Sequence, residues 1–284
     1  MNAVAKDRTY PPIPEALPVP IFDNHAHIEP FQRFPAEALP LDQQVEAAAK
    51  AGVQGIVQCG CDLEAAEWTA QVAVRHPAVL GVIALHPNDS VRLKAAGTYG
   101  DALARIAELA AGEERIRGIG ETGLDYFRTG PDGWAAQREA FLDHIALAKE
   151  LGLALQIHDR DAHADVIATL EEVGAPERTV FHSFSGDAAM ARLAAERGWY
   201  CSFSGTVTFK NAAGLREAAA ALPPELVLVE TDSPYLTPEP CRGRPNAPYM
   251  VAQTMRTVAN CINMPLADAC AQIQSNTLRV YGEL

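Results

Sequence analysis

The sequence predicts a single α/β domain folded as a (β/α)8 barrel, on three observations. Short apolar runs alternate along the chain with Ala-, Leu- and Glu-rich segments of helical character, an order that implies a parallel sheet with helical crossovers. Eight such units can be counted, the number that closes a barrel. The length of 284 residues suits a barrel of about 250 residues with an extension. A doubly wound open sheet is the competing arrangement.

In chain order, residues 1–20 come first. They hold Pro11, Pro12, Pro14, Pro18 and Pro20 without periodicity and read as a Pro-rich leader, extended on the surface or disordered. The barrel occupies 21–284. Its strands are expected at 21–22, 55–59, 80–85, 116–120, 153–157, 179–181, 199–203 and 226–229. These runs are continuously apolar rather than alternating, as strands covered on both faces must be. Helices are expected at 42–51, 62–75, 97–111, 134–151, 161–173, 187–197 and 211–221, with Gly52, Gly112, Gly152, Gly174 and Gly198 as stops. Two more, at 247–260 and 266–280, follow the last strand.

Composition narrows the function classes. With 48% hydrophobic and 21% charged residues, the chain is neither disordered nor a bundle of membrane spans, and no run approaches the roughly 18 apolar residues of a transmembrane helix. The balance of 23 basic against 36 acidic residues, a net −13, excludes capture of nucleic acid by a bulk positive field. An anionic substrate has to be drawn in locally, by metal ions or a few placed arginines. The N-terminus lacks the apolar run of a secretory signal, so the six cysteines are expected reduced and the protein cytoplasmic. No stable protein partner is indicated.

The strand runs end in residues that buried strands avoid: Asp23-Asn24-His25-Ala26-His27, His86-Pro87, Glu121-Thr122-Gly123, His158-Asp159, His182-Ser183 and Glu230-Thr231-Asp232. In a barrel these ends converge on one mouth. His25 and His27, two apart on a strand, point to one side. Imidazoles with a glutamate and an aspartate suit Zn2+ or Mn2+, and six ligands serve two bridged cations better than one. Arg242 and Arg244, in the loop after the eighth strand, are candidates for phosphate capture, because the guanidinium fork matches two oxygens. His76, His144 and His163 read as surface residues, Asp125 and Asp161 as turn or helix caps. Cys59 and Cys61 read as barrel lining rather than a further metal site. The run from Gly118 to Gly123 satisfies G-x-G-x-x-G, but Gly130, Pro131 and Gly133 keep the following chain irregular where a dinucleotide site needs a helix.

Taken with Gly120-Glu121-Thr122-Gly123-Leu124-Asp125-Tyr126, Ile157-His158-Asp159-Arg160-Asp161, His182-Ser183-Phe184-Ser185-Gly186, Ser204-Gly205, Glu230-Thr231-Asp232-Ser233-Pro234-Tyr235-Leu236 and Arg242-Gly243-Arg244-Pro245-Asn246, the chain from Ile21 onward resembles the TatD-type metal-dependent hydrolases, the TatD deoxyribonucleases of the amidohydrolase-like barrels. The resemblance implies two divalent cations (Zn2+, Mn2+ or Mg2+). One is held by His25, His27 and Asp232, the other by His158 and His182, with Glu121 bridging and His86 beside the substrate. It implies phosphodiester hydrolysis of the 3′–5′ exodeoxyribonuclease kind by a metal-activated water. The substrates implied are single-stranded or frayed DNA ends or a smaller phosphodiester. Asp232 is the candidate proton acceptor, and Tyr126 a candidate to stack on a base or ribose. Ser183 stands where many members carry Cys, and Ala247 where many carry Glu. The alternative on the same barrel is hydrolysis of an amide, ester or lactone, although related barrels often bridge their ions with a modified lysine where this chain offers Glu121.

Overall fold

The computed structural model describes residues 7–30 and 39–284; residues 1–6 of the expected leader lie outside it. The first half runs β1 (Ile21–Ala26), α1 (Leu41–Lys50), β2 (Val53–Gly60), α2 (Leu63–Arg75), β3 (Val79–Ile83), α3 (Pro87–Ala96), α4 (Tyr99–Gly112), β4 (Ile116–Asp125) and α5 (Pro131–Leu151). The second half runs β5 (Ala154–Arg160), α6 (His163–Val173), β6 (Thr179–Phe181), α7 (Ala188–Glu196), β7 (Tyr200–Phe203), α8 (Ala213–Ala221), β8 (Val227–Val229), α9 (Val251–Cys261) and α10 (Leu266–Tyr281). The eight strands pair in sequence order, all parallel. This is the (β/α)8 barrel.

The seam between β8 and β1 is made by polar groups. Ala26 bridges Ser233 in parallel; the Asp232 N–H donates to His25 O (2.9 Å) and the His27 N–H to Ser233 O (2.7 Å). The buried Asp23 carboxylate accepts the Thr231 N–H at 2.8 Å. Inside, Phe22, Val57, Cys59, Leu80, Val82, Ala154, Val180, Tyr200 and Leu228 pack into one cluster with Val280 and Tyr281 of α10. The other strand faces pack against the helices. The interior is thus a core, and whatever chemistry the fold performs belongs at an end.

Three strands outrun their sequence-based ends by three residues or more. β1 continues to Ala26, β4 to Asp125 and β5 to Arg160, because the β4–β5 ladder carries on pairing as far as Asp125 and Arg160. A burial-based reading stops where the apolar run stops; the backbone ladder is indifferent to side-chain polarity. Helix α3 is also unanticipated. His86-Pro87 reads as a strand exit, but Pro87 occupies the first helical turn and the His86 Nδ1 accepts the Asn88 N–H at 3.1 Å, a cap followed by a helix-starting proline.

From residue 7 onward the leader is laid on the barrel. Arg244 donates to Thr9 O (2.9 Å) and Tyr10 O (2.7 Å), the Tyr249 hydroxyl to Pro11 O (2.7 Å), and Arg256 to Glu15 O (2.8 Å). The Leu17 N–H then joins Ala51 O at 3.0 Å.

His144 corrects an expectation: it lies in the core of α5, fully buried, not on the surface. Its Nδ1–H donates to Ala140 O (2.7 Å), which leaves Nε2 to accept the Leu85 N–H (3.2 Å). Burial pushes its pKa down to about 4. Between the ordinary histidine value near 6.5 and that value, the unfolded chain binds a proton that the folded imidazole refuses, so stability falls as pH falls through this window. The shift corresponds to about 3 kcal/mol at its limit. The His144→Gln protein, whose amide oxygen can still accept from Leu85, is expected to show a shallower loss between pH 6.5 and 4 in urea unfolding.

Candidate metal centre

The site forms where ladders slip. Between β1 and β2 the register moves by one residue between Asp23 and Ala26, and between β4 and β5 by one between Gly120 and Thr122. Such irregularities re-aim side chains, and the two stretches carry His25 and Glu121. The β4–β5 approach is also unusually close. Gly123 sits at φ +136, and a Cβ there would lie 2.1 Å from His158 O, so only glycine lets β5 carry His158 alongside Glu121.

The six predicted ligands are brought together. Glu121 lies between two groups: its Oε1 is 3.7 Å from His27 Nε2, while its Oε2 is 2.8 Å from His158 Nδ1 and 2.7 Å from His182 Nε2. Asp232 Oδ1 stands 3.5 Å from His27 Nε2 and 3.7 Å from His25 Nε2. The ligand atoms of His25, His27 and Asp232 lie within 4.8 Å of one another, as do those of His25, Glu121 and His182. Glu121 therefore offers one oxygen to each group.

Each imidazole is held by its far nitrogen. His25 Nδ1 meets Gln156 Oε1 at 2.6 Å, and His27 Nδ1 meets Cys59 O at 3.0 Å. His158 Nε2 meets Asp125 Oδ2 at 3.3 Å, and His182 Nδ1 meets Glu230 Oε1 at 3.3 Å. All four partners are acceptors, so each far nitrogen carries its proton and the near nitrogen presents a lone pair to the centre. The consequence is sharpest at His25 and His27, whose Nε2 atoms stand 3.1 Å apart. With both Nδ1–H groups committed, that gap is closed by a cation: a proton, which burial opposes but Cys61 and Asp232 favour by holding His27 well above an ordinary histidine, or a metal ion. A metal ion between the two nitrogens takes the place of that proton, so the donor set fits divalent metal.

The electrostatics follow. Burial alone would raise the Glu121 carboxyl, but the imidazoles of His182 and His158 outweigh it and hold the group well below the usual carboxylate range. His25, buried and beside His182 and His27, is pushed well below an ordinary histidine. Burial and the adjacent His158 bring His86 down to about 3. Despite their burial, His27 is held well above an ordinary histidine by Cys61 and Asp232, and His182 by Glu121 and Glu230, so metal binding at this centre displaces protons.

The remaining candidates are distributed differently. His86 lines the mouth, its ring edge-on to His158 at 4.6 Å. Tyr126 does not line the cavity: its ring stacks on Trp134 at 3.9 Å and its hydroxyl donates to Asp165 at 2.6 Å. Arg242 lies over the Phe209 ring at 4.0 Å and Arg244 holds the leader, so neither of the arginines expected at the mouth is there. Arg128 and Arg160 line the cavity instead. Cys59 belongs to the barrel interior as expected, but Cys61 lines the mouth, with its Sγ 3.1 Å from Glu121 Oε1. Asp125 caps the turn at Arg128 N–H (2.8 Å) and also holds His158. Glu230, buried completely, accepts the Ser183 N–H at 2.8 Å while steadying His182.

Sequence reasoning missed Gln156, Glu230, Asp125, Cys61, Arg128 and Arg160 as parts of the site. Gln156 had a signal, since it precedes His158 by two on one strand. The ends of the second and seventh strands carry no functional residue in the sequence reading, and Cys61, just past the second, reads there as barrel lining. Replacing Glu230 by Gln removes the charge behind His182 and keeps an acceptor for Ser183. Loss of such an outer partner costs about 10–100-fold in metal affinity, and that weakening is expected in a chelator competition titration.

Comparison with known proteins agrees with this geometry. The family model for TatD-related DNase matches residues 22–282. The uncharacterized metal-dependent hydrolase TatD of Mycobacterium tuberculosis is 42% identical over 92% of this chain and 97% of its own length. The uncharacterized metal-dependent hydrolase YabD of Bacillus subtilis is 35% identical over 92% and 98%. Among solved structures, the TatD homologue YJJV of Escherichia coli superposes with a TM-score of 0.83 at 24% identity, covering 93% of this chain and 98% of that one; this likeness is one of fold. With these histidines and carboxylates gathered at the barrel mouth, the chain belongs to the TatD-related DNase family of metal-dependent hydrolases.

Proposed function

We propose that this chain is a two-cation phosphodiesterase that removes nucleotides from the 3′ ends of single-stranded or frayed DNA. The observation that carries the reading is the placing of one Glu121 oxygen toward each histidine group, with every far imidazole nitrogen already occupied. His25, His27 and Asp232 would hold one cation, His158 and His182 the other, and Glu121 both. Bound divalent cations supply Lewis acidity toward a phosphoryl oxygen and lower the pKa of water.

The chain's own groups do the rest. The cavity of about 640 Å3 accommodates a terminal nucleotide, since small-molecule sites run to roughly 300–1,000 Å3. Arg128 and Arg160 on its wall supply local positive charge in a protein of net −13, and guanidinium forks grip phosphate oxygens. Of the carboxylates around the ligands, Asp232 is the most open, its side chain 15% exposed against 8% for Glu121 and 1% for Asp125. It is therefore the group that takes the proton from an attacking water as the new P–O bond forms and the bond to the 3′ oxygen breaks. The six free thiols suit a reducing, cytoplasmic setting. No helix among the described residues is long and apolar enough to cross a membrane.

Incubated with Mn2+ or Zn2+ and a single-stranded DNA labelled at its 3′ end, the protein is expected to release mononucleotides, and chelation to abolish the release. Asp232→Asn is expected to lower kcat by about 10²–10⁴-fold, the worth of a general base. Turnover of lactones, esters or amides in place of phosphodiesters would overturn the reading. Arg160→Ala is expected to raise KM, whereas Arg244→Ala leaves KM near wild type and lowers stability by about 1–3 kcal/mol through the hydrogen bonds it removes, read from thermal unfolding.

A further inference from the structure

We propose that Cys61 is a thiolate ligand of the cation held by His25, His27 and Asp232, and that it biases this centre toward thiophilic cations of the zinc class over Mg2+ or Mn2+. The inference rests on the metal-centre reading above and deepens it. Cys61 sits just beyond β2, between Gly60 and the Asp62 that caps α2 by accepting the Ala65 N–H at 2.8 Å. Its backbone is fixed by that cap and by the His86 N–H donating to Cys61 O at 2.8 Å, so the side chain is aimed rather than loose.

It is aimed at the centre. Sγ lies 3.1 Å from Glu121 Oε1, the oxygen facing His27. The ligand atoms of His27, Cys61 and Glu121 fall within 4.8 Å of one another, and His27, whose Nδ1 is 3.9 Å from Sγ, also belongs to the His25–His27–Asp232 group. The thiol lines the cavity and is open to an arriving cation. Cys59, 3.7 Å away, is buried among the barrel side chains and spends its carbonyl on His27; it is not the ligand.

Soft sulfur discriminates among cations that nitrogen and carboxylate oxygen bind less selectively. Thiolate favours Zn2+ over the hard Mg2+ and Mn2+, which prefer oxygen. On ligation the S–H bond is lost, its proton passes to solvent, and a sulfur–metal bond takes its place. A mere S–H···O contact to Glu121 would make no such selection, and a serine could replace it.

Cobalt(II) separates the cases because it is visible. Loaded with Co2+, the wild-type protein is expected to show ligand-field bands in the visible, from histidine and carboxylate binding, together with a near-ultraviolet thiolate-to-cobalt charge-transfer band. Cys61→Ser is expected to keep the cobalt stoichiometry and the ligand-field intensity and to lose the charge-transfer band; Cys59→Ser is expected to keep both. An outer-sphere partner is worth about 10–100-fold in metal affinity, so loss of a direct ligand is expected to weaken Zn2+ by at least roughly 10-fold. Mn2+, indifferent to sulfur, is expected to move by less than about 2-fold. A wild-type spectrum without the charge-transfer band, its persistence in Cys61→Ser, its loss in Cys59→Ser alone, or an equal weakening of Zn2+ and Mn2+ each overturns the proposal. Absence of all cobalt bands would instead remove the metal-centre reading, and the thiolate with it.

Discussion

Two imidazole nitrogens held face to face are the constraint around which this molecule is organised. His25 and His27 bring their Nε2 atoms to 3.1 Å while their protons are committed elsewhere, to Gln156 and to Cys59 O. Such an arrangement requires a cation, a proton or a metal ion, between its two nitrogens. It persists because the surrounding structure over-determines it: Gln156 is itself tied to Asn24 O (3.0 Å) and to the Tyr281 hydroxyl (2.7 Å), reaching the last turn of α10. The folded chain maintains a centre whose electrostatics are completed from outside. That is the character of a preorganised metal site, in which protein stability underwrites ligand geometry.

The barrel supplies this at little cost to its core. The interior cluster below the mouth is apolar, and the helices bury the opposite strand faces. The polar machinery is confined to the last residues of the ladders. Slipped registers at His25 and Glu121, and a glycine at 123 that lets two backbones nearly touch, turn regular strands into a chelating rim. Charge is handled with the same economy. An acidic protein confines two cationic side chains, Arg128 and Arg160, to the cavity wall and uses Arg242 and Arg244 to fasten loops.

How much of this was legible in the sequence follows from the range of each interaction. The barrel was readable because alternation is a local, repeated pattern, and the convergence of the strand-end histidines because a histidine ending an apolar run contradicts burial. What escaped reading depended on pairing. Strands β1, β4 and β5 continue through polar residues because ladder hydrogen bonds ignore side chains, and α3 hid behind a proline that starts a helix as readily as it ends a strand. His144 looked like a helix-surface histidine, since its partner Leu85 is 59 residues distant. Arg244 looked like a mouth arginine, since the leader it binds is 235 residues away. Glu230 stood in plain view beside Asp232, but its target, His182, shows only in three dimensions.

The seam between the first and last strands has a consequence for biosynthesis. Asp23 has its backbone partner at Thr231, 208 residues downstream, and His25 O waits for the Asp232 N–H. While the ribosome is still making the second half, the emerging first strand holds an uncompensated carboxylate and one edge with nothing to join. Contacts so remote in sequence slow folding and defer its completion. Ring closure and completion of the rim therefore wait on residues 231–233, which are made only after the eighth strand.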